Sequence, residues 1–235
     1  MILLVIRHGE PVYDPDSLTE LGKQQADALA KRLAVHGLDR VFVSPLIRAK
    51  MTAEPTCRAL GLNWTVEDWM SEEAAWAQMS CVGEDGVRRW LFHQPDFIEH
   101  IGDVKALGDR WYEAPCFAAR DMKAGYKRIT DASDAFLSRL GYVREGWRYR
   151  IEKPNEERVA CFCHHGFGTT WLSWLLGVSP AALWGNFEIN HSGVTVLYFE
   201  NRPSGYTSPR CICLSDSSHI YAEGLPFYYE RRIGL

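Results

Sequence analysis

Three apolar runs in this chain of 235 residues end alike, in residues able to hold or attack an anion. Ile2–Ile6 runs into Arg7-His8-Gly9-Glu10, and Val41–Val43 runs into Ser44-Pro45-Leu46-Ile47-Arg48. Val159–Cys163 runs into His164-His165-Gly166. In open α/β sheets, ligands bind outside the carboxyl ends of the strands. If the three runs are parallel neighbours, Arg7, His8, Arg48 and His165 converge on one small volume. Two guanidiniums and two imidazoles suit a compact dianion, for which phosphate is the obvious candidate. Gly9 and Gly166 each follow a histidine, where a missing side chain would let the backbone approach the ligand.

The elements that must position these residues follow from pattern. Ile2–Ile6 is continuously apolar, as expected of a strand buried on both faces in a parallel sheet. Thr19 is the N-cap candidate of a helix with an apolar stripe at Leu21, Ala26, Leu29, Ala30 and Leu33, ended by Gly37. Arg40–Val43 reads as a strand. Leu46–Leu60 is helical in composition, with a kink or break expected at Pro55 and Gly61 closing it. Asn63–Glu67 completes a β-α-β-α-β order, which implies an α/β fold with a mostly parallel central sheet flanked by helices. From Glu72 to about Tyr142 the texture changes, with scattered charge, Trp76, Trp90 and Trp111, and helix-like segments at Val87–His93 and Asp121–Leu140. We read 1–235 as a single domain in which 73–145 is a mostly helical insertion over the active-site end of the sheet. Strands at Arg148–Lys153, Val159–Cys163, Val194–Phe199 and Arg210–Leu214, with helices at Thr169–Leu176 and from Ser179-Pro180, complete the chain.

Composition bounds the function. Hydrophobic residues make up 46% and charged residues 24%, ordinary for a folded protein. The net charge of −4 argues against a broad phosphate-binding footprint, so no nucleic-acid partner is expected. No run approaches a membrane span, so no membrane partner is expected either. The N-terminal run lacks a basic n-region and meets a charge at Arg7, so it does not read as a signal peptide. Seven cysteines then read as free thiols of a reducing compartment, the cytoplasm. Cys161/Cys163 and Cys211/Cys213 lie at strand spacing in apolar runs and read as buried thiols, not zinc ligands.

The motifs resemble a family in order along the chain. Leu4-Val5-Ile6-Arg7-His8-Gly9-Glu10 is similar to the signature of the histidine phosphatase superfamily, also called phosphoglycerate mutase-like. Leu18-Thr19-Glu20-Leu21-Gly22-Lys23-Gln24-Gln25-Ala26 and Ser44-Pro45-Leu46-Ile47-Arg48-Ala49-Lys50-Met51-Thr52-Ala53-Glu54 are similar to its next two segments. His165-Gly166 matches its second histidine motif, and Asn190–Val196 resembles the segment that follows. The likeness covers roughly residues 1–72 and 158–200.

The resemblance implies that His8 is the nucleophile, forming a phosphohistidine, while Arg7, Arg48 and His165 hold the phosphoryl oxygens. Gly9 and Gly166 would line the same substrate-binding pocket. The built-in cations leave no role for a metal ion or other cofactor. Glu72 fits the spacing of the family's proton donor, and Glu73 is the alternative. Where the family's phosphatases often carry a glycine-rich, Trp-Glu-Gly-type segment, this chain reads Ala74-Ala75-Trp76-Ala77-Gln78-Met79, and it also lacks the longer acidic segment of the mutases. Metal-independent hydrolysis of a small phosphorylated substrate is the leading expectation. A mutase-type transfer and a non-catalytic phospho-ligand module remain the alternatives, in a monomer or homodimer. The basic residues of 73–145, among them Arg88 and Arg89, read as a solvated helical face or as a grip on a second anionic group. His164 reads as orienting its neighbour, His191 as a pocket residue, and His36, His93, His100 and His219 as isolated. Arg48→Ala is expected to weaken inhibition by vanadate or phosphate substantially; unchanged inhibition would remove Arg48 from the pocket.

Overall fold

Alternation inside the apolar runs sends successive side chains to opposite faces, so a run with no polar interruption must be covered on both sides. The computed structural model, which describes residues 1–94, 97–229 and 233–234, shows this at β1 (Ile2–Arg7). Leu3 and Val5 enter one hydrophobic core, and Leu4 and Ile6 enter the other. The sheet contains β1, β2 (Arg40–Val43), β3 (Trp64–Val66), β4 (Arg158–Cys163), β5 (Val194–Tyr198) and β6 (Arg210–Asp216). Their spatial order is β6-β5-β1-β4-β2-β3. Pairings β1–β4, β4–β2 and β2–β3 are parallel, whereas β5 runs antiparallel to β1 and β6. The fold is α/β with a mainly parallel central sheet.

Helices α1 (Glu20–Ala34) and α2 (Ile47–Leu60) supply Leu29, Leu33, Ala49, Ala53 and Cys57 to one core. The other core is larger and more aromatic. It is built from α3 (Glu73–Met79), α4 (Phe97–Ala106), α5 (Met122–Arg139), α6 (His165–Leu176) and α7 (Pro180–Asn186). Thr19 caps α1 as its side chain implies, accepting from the Gly22 N–H at 3.0 Å. A short α8 (Ser218–Ala222) follows β6.

Three local expectations are corrected. Val87–His93 is not helical: Ser80–Val82 and Arg88–Trp90 form an antiparallel hairpin, followed by a 3-10 turn at Leu91–His93. The cross-strand pairs are Ser80–Trp90, Cys81–Arg89 and Val82–Arg88, and Gly86 takes a left-handed conformation (φ 76°) in the hairpin loop. Pro55 does not break α2, which runs through it to Gly61 in the left-handed C-cap. The buried stripe Thr52, Ala53, Thr56 and Cys57 keeps the helix on the sheet despite one missing backbone donor. The cysteines divide. Cys161 and Cys163 are buried on the same strand face, but Cys211 is exposed and Cys213 half-buried, so the second pair is not a core pair.

The segment after β1 is strapped to α1 at backbone distance. Glu10 N–H donates to Gln25 Oε1 at 2.8 Å, and the Glu10 carbonyl accepts from Thr19 N–H at 3.0 Å. A Cβ on Gly22 would stand 2.2 Å from the Glu10 carbonyl oxygen, and one on Gly9 would stand 2.6 Å from the Gly22 carbonyl oxygen. Neither backbone can yield without moving His8. Gly22→Ala is therefore expected to destabilise the protein by about 1–3 kcal/mol in urea unfolding, the usual cost of overpacking. An unchanged midpoint would refute the close approach.

Candidate active site

His8 follows β1 and is fixed from several sides. Its N–H donates to the Cys163 carbonyl at 3.0 Å, and its carbonyl accepts from Ser192 N–H at 3.0 Å. The next N–H, of Gly9, donates to Thr52 Oγ1 on α2 at 2.9 Å. The ring Nδ1 lies 2.7 Å from the Gly9 carbonyl oxygen, which can only accept, so Nδ1 carries the proton and Nε2 keeps its lone pair. Burial first, and then His164, Arg7 and Arg48, hold the His8 pKa well below its usual value. The ring is neutral near pH 7.

Arg7, Glu72 and His165 line the same cavity as His8. Arg7 Nη1 donates to Glu188 Oε1 at 3.1 Å and also to the Ile189 carbonyl. His165 opens α6, with Nδ1 3.1 Å from Glu188 Oε1 and 3.4 Å from the Ile189 N–H, so either tautomer finds a partner. Its pKa too is held well below normal, by burial and then by Arg7 and His93.

Glu72 immediately precedes α3. Its Oε1 accepts from Gly166 N–H at 3.1 Å and Trp90 Nε1–H at 3.3 Å, and its Oε2 stands 3.5 Å from Arg48 Nη2. Glu73 is exposed and is not part of the cavity wall, so of the two carboxylates Glu72 faces the site.

Arg48 is buried beside Glu72, and Asp16 Oδ1 accepts from its Nη1 at 2.9 Å. The Nε atoms of both Arg7 and Arg48 are buried without a hydrogen-bond partner. Such donors are costly to leave unmade.

Gly9 and Gly166 are not on the cavity wall, and the space a Cβ would need at each is filled by protein. The space beside Gly9 belongs to the Gly22 carbonyl, and a Cβ on Gly166 would stand 2.2 Å from Trp90 Nε1. Gly166 instead lets the Trp90 indole and the Glu72 carboxylate close over the start of α6.

Several residues are not singled out by sequence. Glu188 bridges Arg7 and His165, with no signal beyond its place two residues before Asn190-His191. Asp16 orders Arg48 and, through Oδ2, accepts from Ile47 N–H at 2.7 Å; nothing in its spacing marks it. His93 and His219 are not isolated. His93 opens onto the cavity with its ring 5.0 Å from that of His165, and its surroundings lower its pKa to about 4, crowding by protein first and then Arg7 and Arg89. His219 is buried; Arg32 Nη1 can only donate to its Nδ1, so its Nε2–H donates to Ser192 Oγ at 2.9 Å. Ser192 (φ 56°) in turn holds the His8 carbonyl, so a chain Asp216–Arg32–His219–Ser192 supports the back of the site. His164 lies fully buried beside His8 with Nε2 2.7 Å from Ser44 Oγ, and His191 lines the cavity. Among the described residues no group of three His, Cys, Asp or Glu side chains is placed to hold a metal ion, and no helix is long and apolar enough to cross a membrane.

Residues 3–114 match the family model of the histidine phosphatase superfamily (branch 1). That region is just under half of the chain, and over it the chain resembles the superfamily. Phosphoserine phosphatase 1 of Hydrogenobacter thermophilus is 32% identical over 117 residues, which span 43% of this chain and 54%, about half, of that relative. A phosphoserine phosphatase of Entamoeba histolytica, solved with phosphoserine, superposes with a TM-score of 0.63 at 18% identity, covering 93% of this chain and 98% of its own. A mycobacterial glucosyl-3-phosphoglycerate phosphatase, solved with inorganic phosphate, gives 0.61 at 19% identity, with 93% and 98% covered. The alpha-ribazole phosphatase of Shigella flexneri gives 0.59 at 20% identity, with 92% and 97% covered.

The buried histidines tie stability to pH. His8, His164 and His165 are held neutral well below their usual range, and His219 is lowered to about 4 by burial and by Arg32. The unfolded chain takes up protons near pH 6.5, so it binds more of them than the folded chain from there down to about pH 4. Stability present at pH 7 is lost as pH falls through that window. Thermal melts should show a Tm that drops steadily from pH 7 to pH 4.5; a flat or rising Tm would mean that these imidazoles are charged in the folded protein.

Proposed function

We propose that this protein hydrolyses phosphomonoesters of small molecules, without a metal ion, through a phosphohistidine at His8. The observation that carries the reading is the pairing of a neutral imidazole, its Nδ1 fixed by the Gly9 carbonyl, with the half-buried Arg7 and the buried Arg48, whose Nε–H groups have no protein partner. Oxygens of a phosphoryl group brought to Nε2 satisfy those donors, and Arg7 and Arg48 supply the positive charge that a metal ion otherwise contributes. The relatives named as phosphoserine, glucosyl-3-phosphoglycerate and alpha-ribazole phosphatases support the same chemistry.

The lone pair of Nε2 attacks phosphorus in line with the ester oxygen. The N–P bond forms as the P–O bond breaks, and the electron pair leaves on the alkoxide. Protonated Glu72 gives its proton to that oxygen through Oε2, the carboxyl oxygen not occupied by Gly166 and Trp90. Water then attacks the phosphohistidine and gives its proton to Glu72. The N–P bond breaks, its electron pair returns to Nε2, and inorganic phosphate leaves. Arg7, Arg48 and His165 hold the equatorial oxygens throughout, and Glu188 aligns Arg7 with His165.

His8→Ala should abolish both turnover and an acid-labile phosphoenzyme. Glu72→Gln should lower kcat/KM on an alkyl phosphate by about 10²–10⁴-fold, the usual worth of a positioned proton donor, but far less on p-nitrophenyl phosphate, whose leaving group needs no proton. Equal losses on both esters would remove Glu72 as the donor. Label passed to an added alcohol or phosphoester instead of water would favour mutase-type transfer.

A further inference from the structure

The cavity over His8 encloses about 1200 Å³, above the ~300–1000 Å³ that commonly holds a drug-sized ligand. A phosphoryl group and a three-carbon acid fill a small part of it. The remainder therefore bears on the leaving group.

The proton donor shows where that leaving group lies. Glu72 must stand at the ester oxygen, and Trp90 Nε1 is hydrogen-bonded to the same carboxylate. Trp90 begins a rigid aromatic wall: Phe92 stacks on it at 5.3 Å and 17°, and Trp184 of α7 stacks on Phe92 at 4.4 Å and 5°. Trp76 closes edge-on against Trp90 at 5.1 Å. Whatever is bonded to the ester oxygen leaves the reacting centre along this wall.

At the mouth the wall continues as apolar side chains that the fold leaves in water. Val87 is 49% exposed, Ile98 59%, Tyr13 67% and Tyr228 50%. They come from four separate segments: the hairpin loop before Trp90, α4, the strand at Pro11–Tyr13 and the strand at Tyr228–Tyr229. Single exposed apolar residues are ordinary, but four around one cavity mouth form a patch that gains by being covered. The cations on the wall do not offset this. Arg89 is held by both oxygens of Asp85, at 3.0 and 2.8 Å, and Arg7 by Glu188. Arg88 is turned to Ser80 Oγ at 3.2 Å.

We propose that the substrates of this site are phosphomonoesters of bulky, largely apolar alcohols, in contrast to compact polar acids such as phosphoserine or 3-phosphoglycerate. The inference rests on the hydrolytic reading of the site, and binding and turnover test the two separately.

Binding is read with alkylphosphonates, which cannot be hydrolysed, by calorimetry on the wild-type protein. Each buried methylene is worth several-fold in affinity, so hexylphosphonate should bind at least about tenfold more tightly than ethylphosphonate. Turnover is read with ethyl and hexyl phosphate, whose leaving groups have nearly equal acidity, and kcat/KM should rise in the same order. Phosphoserine should be turned over less efficiently than hexyl phosphate. Val87→Asp and Ile98→Asp, both at exposed positions, should cut the hexyl-to-ethyl binding ratio to within about threefold. Length-dependent binding with no turnover of any ester would overturn the hydrolytic reading and leave the apolar site standing. Length-independent binding, a ratio untouched by both variants, or phosphoserine as the better substrate would overturn the apolar class.

Discussion

Around His8 the structure holds an uncharged imidazole against two guanidinium groups without letting the ring turn. The cations and burial together disfavour the imidazolium, so the nitrogen lone pair is available where an anion is to bind. Availability alone does not make a site, because a neutral ring can present either nitrogen. The Gly9 carbonyl settles which one by taking the Nδ1 proton, and that carbonyl is fixed because the Glu10 N–H of the same peptide plane is bonded to Gln25. The His8 backbone is likewise bonded to Cys163 on one side and Ser192 on the other. These are short, mostly backbone-level contacts, and they hold only while β4, α2 and the turn before β5 keep their places.

The two-sided sheet keeps those places. Because β1 and β4 are buried on both faces and paired in parallel from Ile2 opposite Arg158 to Arg7 opposite Cys163, their carboxyl ends finish level. His8 and the His164-His165 pair thus emerge side by side. The β1–α1 approach adds a second constraint, since the Gly9–Gly22 contact leaves no room for a side chain on either residue. Glycine here serves packing between protein segments. The same holds at Gly166, where the absent Cβ makes room for Trp90 and a free N–H grips Glu72.

How much of this could be read from sequence depended on whether the determinant was local. The strand ends, the Thr19 cap and the order of elements follow from residues adjacent in the chain, and the grouping of Arg7, His8 and His165 follows from parallel pairing alone. Arg48 comes to the same place but faces Asp16 and Glu72 more than the cavity, which spacing does not reveal. Asp16, Glu188 and His93 escape because their partners lie 32, 181 and 72 residues away and no periodicity links them. The hairpin at 80–90 was obscured by its helix-compatible composition. Its Asp85-Gly86 turn is the signal that marks it.

This division between local and distant determinants also separates the two ends of the cavity. The end that we assign to the phosphoryl group is made of strand termini and helix starts, part of the fold that chains at 18–20% identity share over more than nine-tenths of their length. The end that we assign to the leaving group is made of side chains such as Trp184 of α7, Trp76, Trp90, Phe92, Val87 and Ile98, where a change of residue would alter what touches an alcohol. Trp90 belongs to both ends, since its indole fills the space beside Gly166 and donates to Glu72 while its face begins the aromatic stack. On the proposed mechanism, a substitution there would disturb proton transfer and alcohol recognition together. On the proposed reading, Val87 and Ile98, farther along the wall, are free to change the alcohol alone.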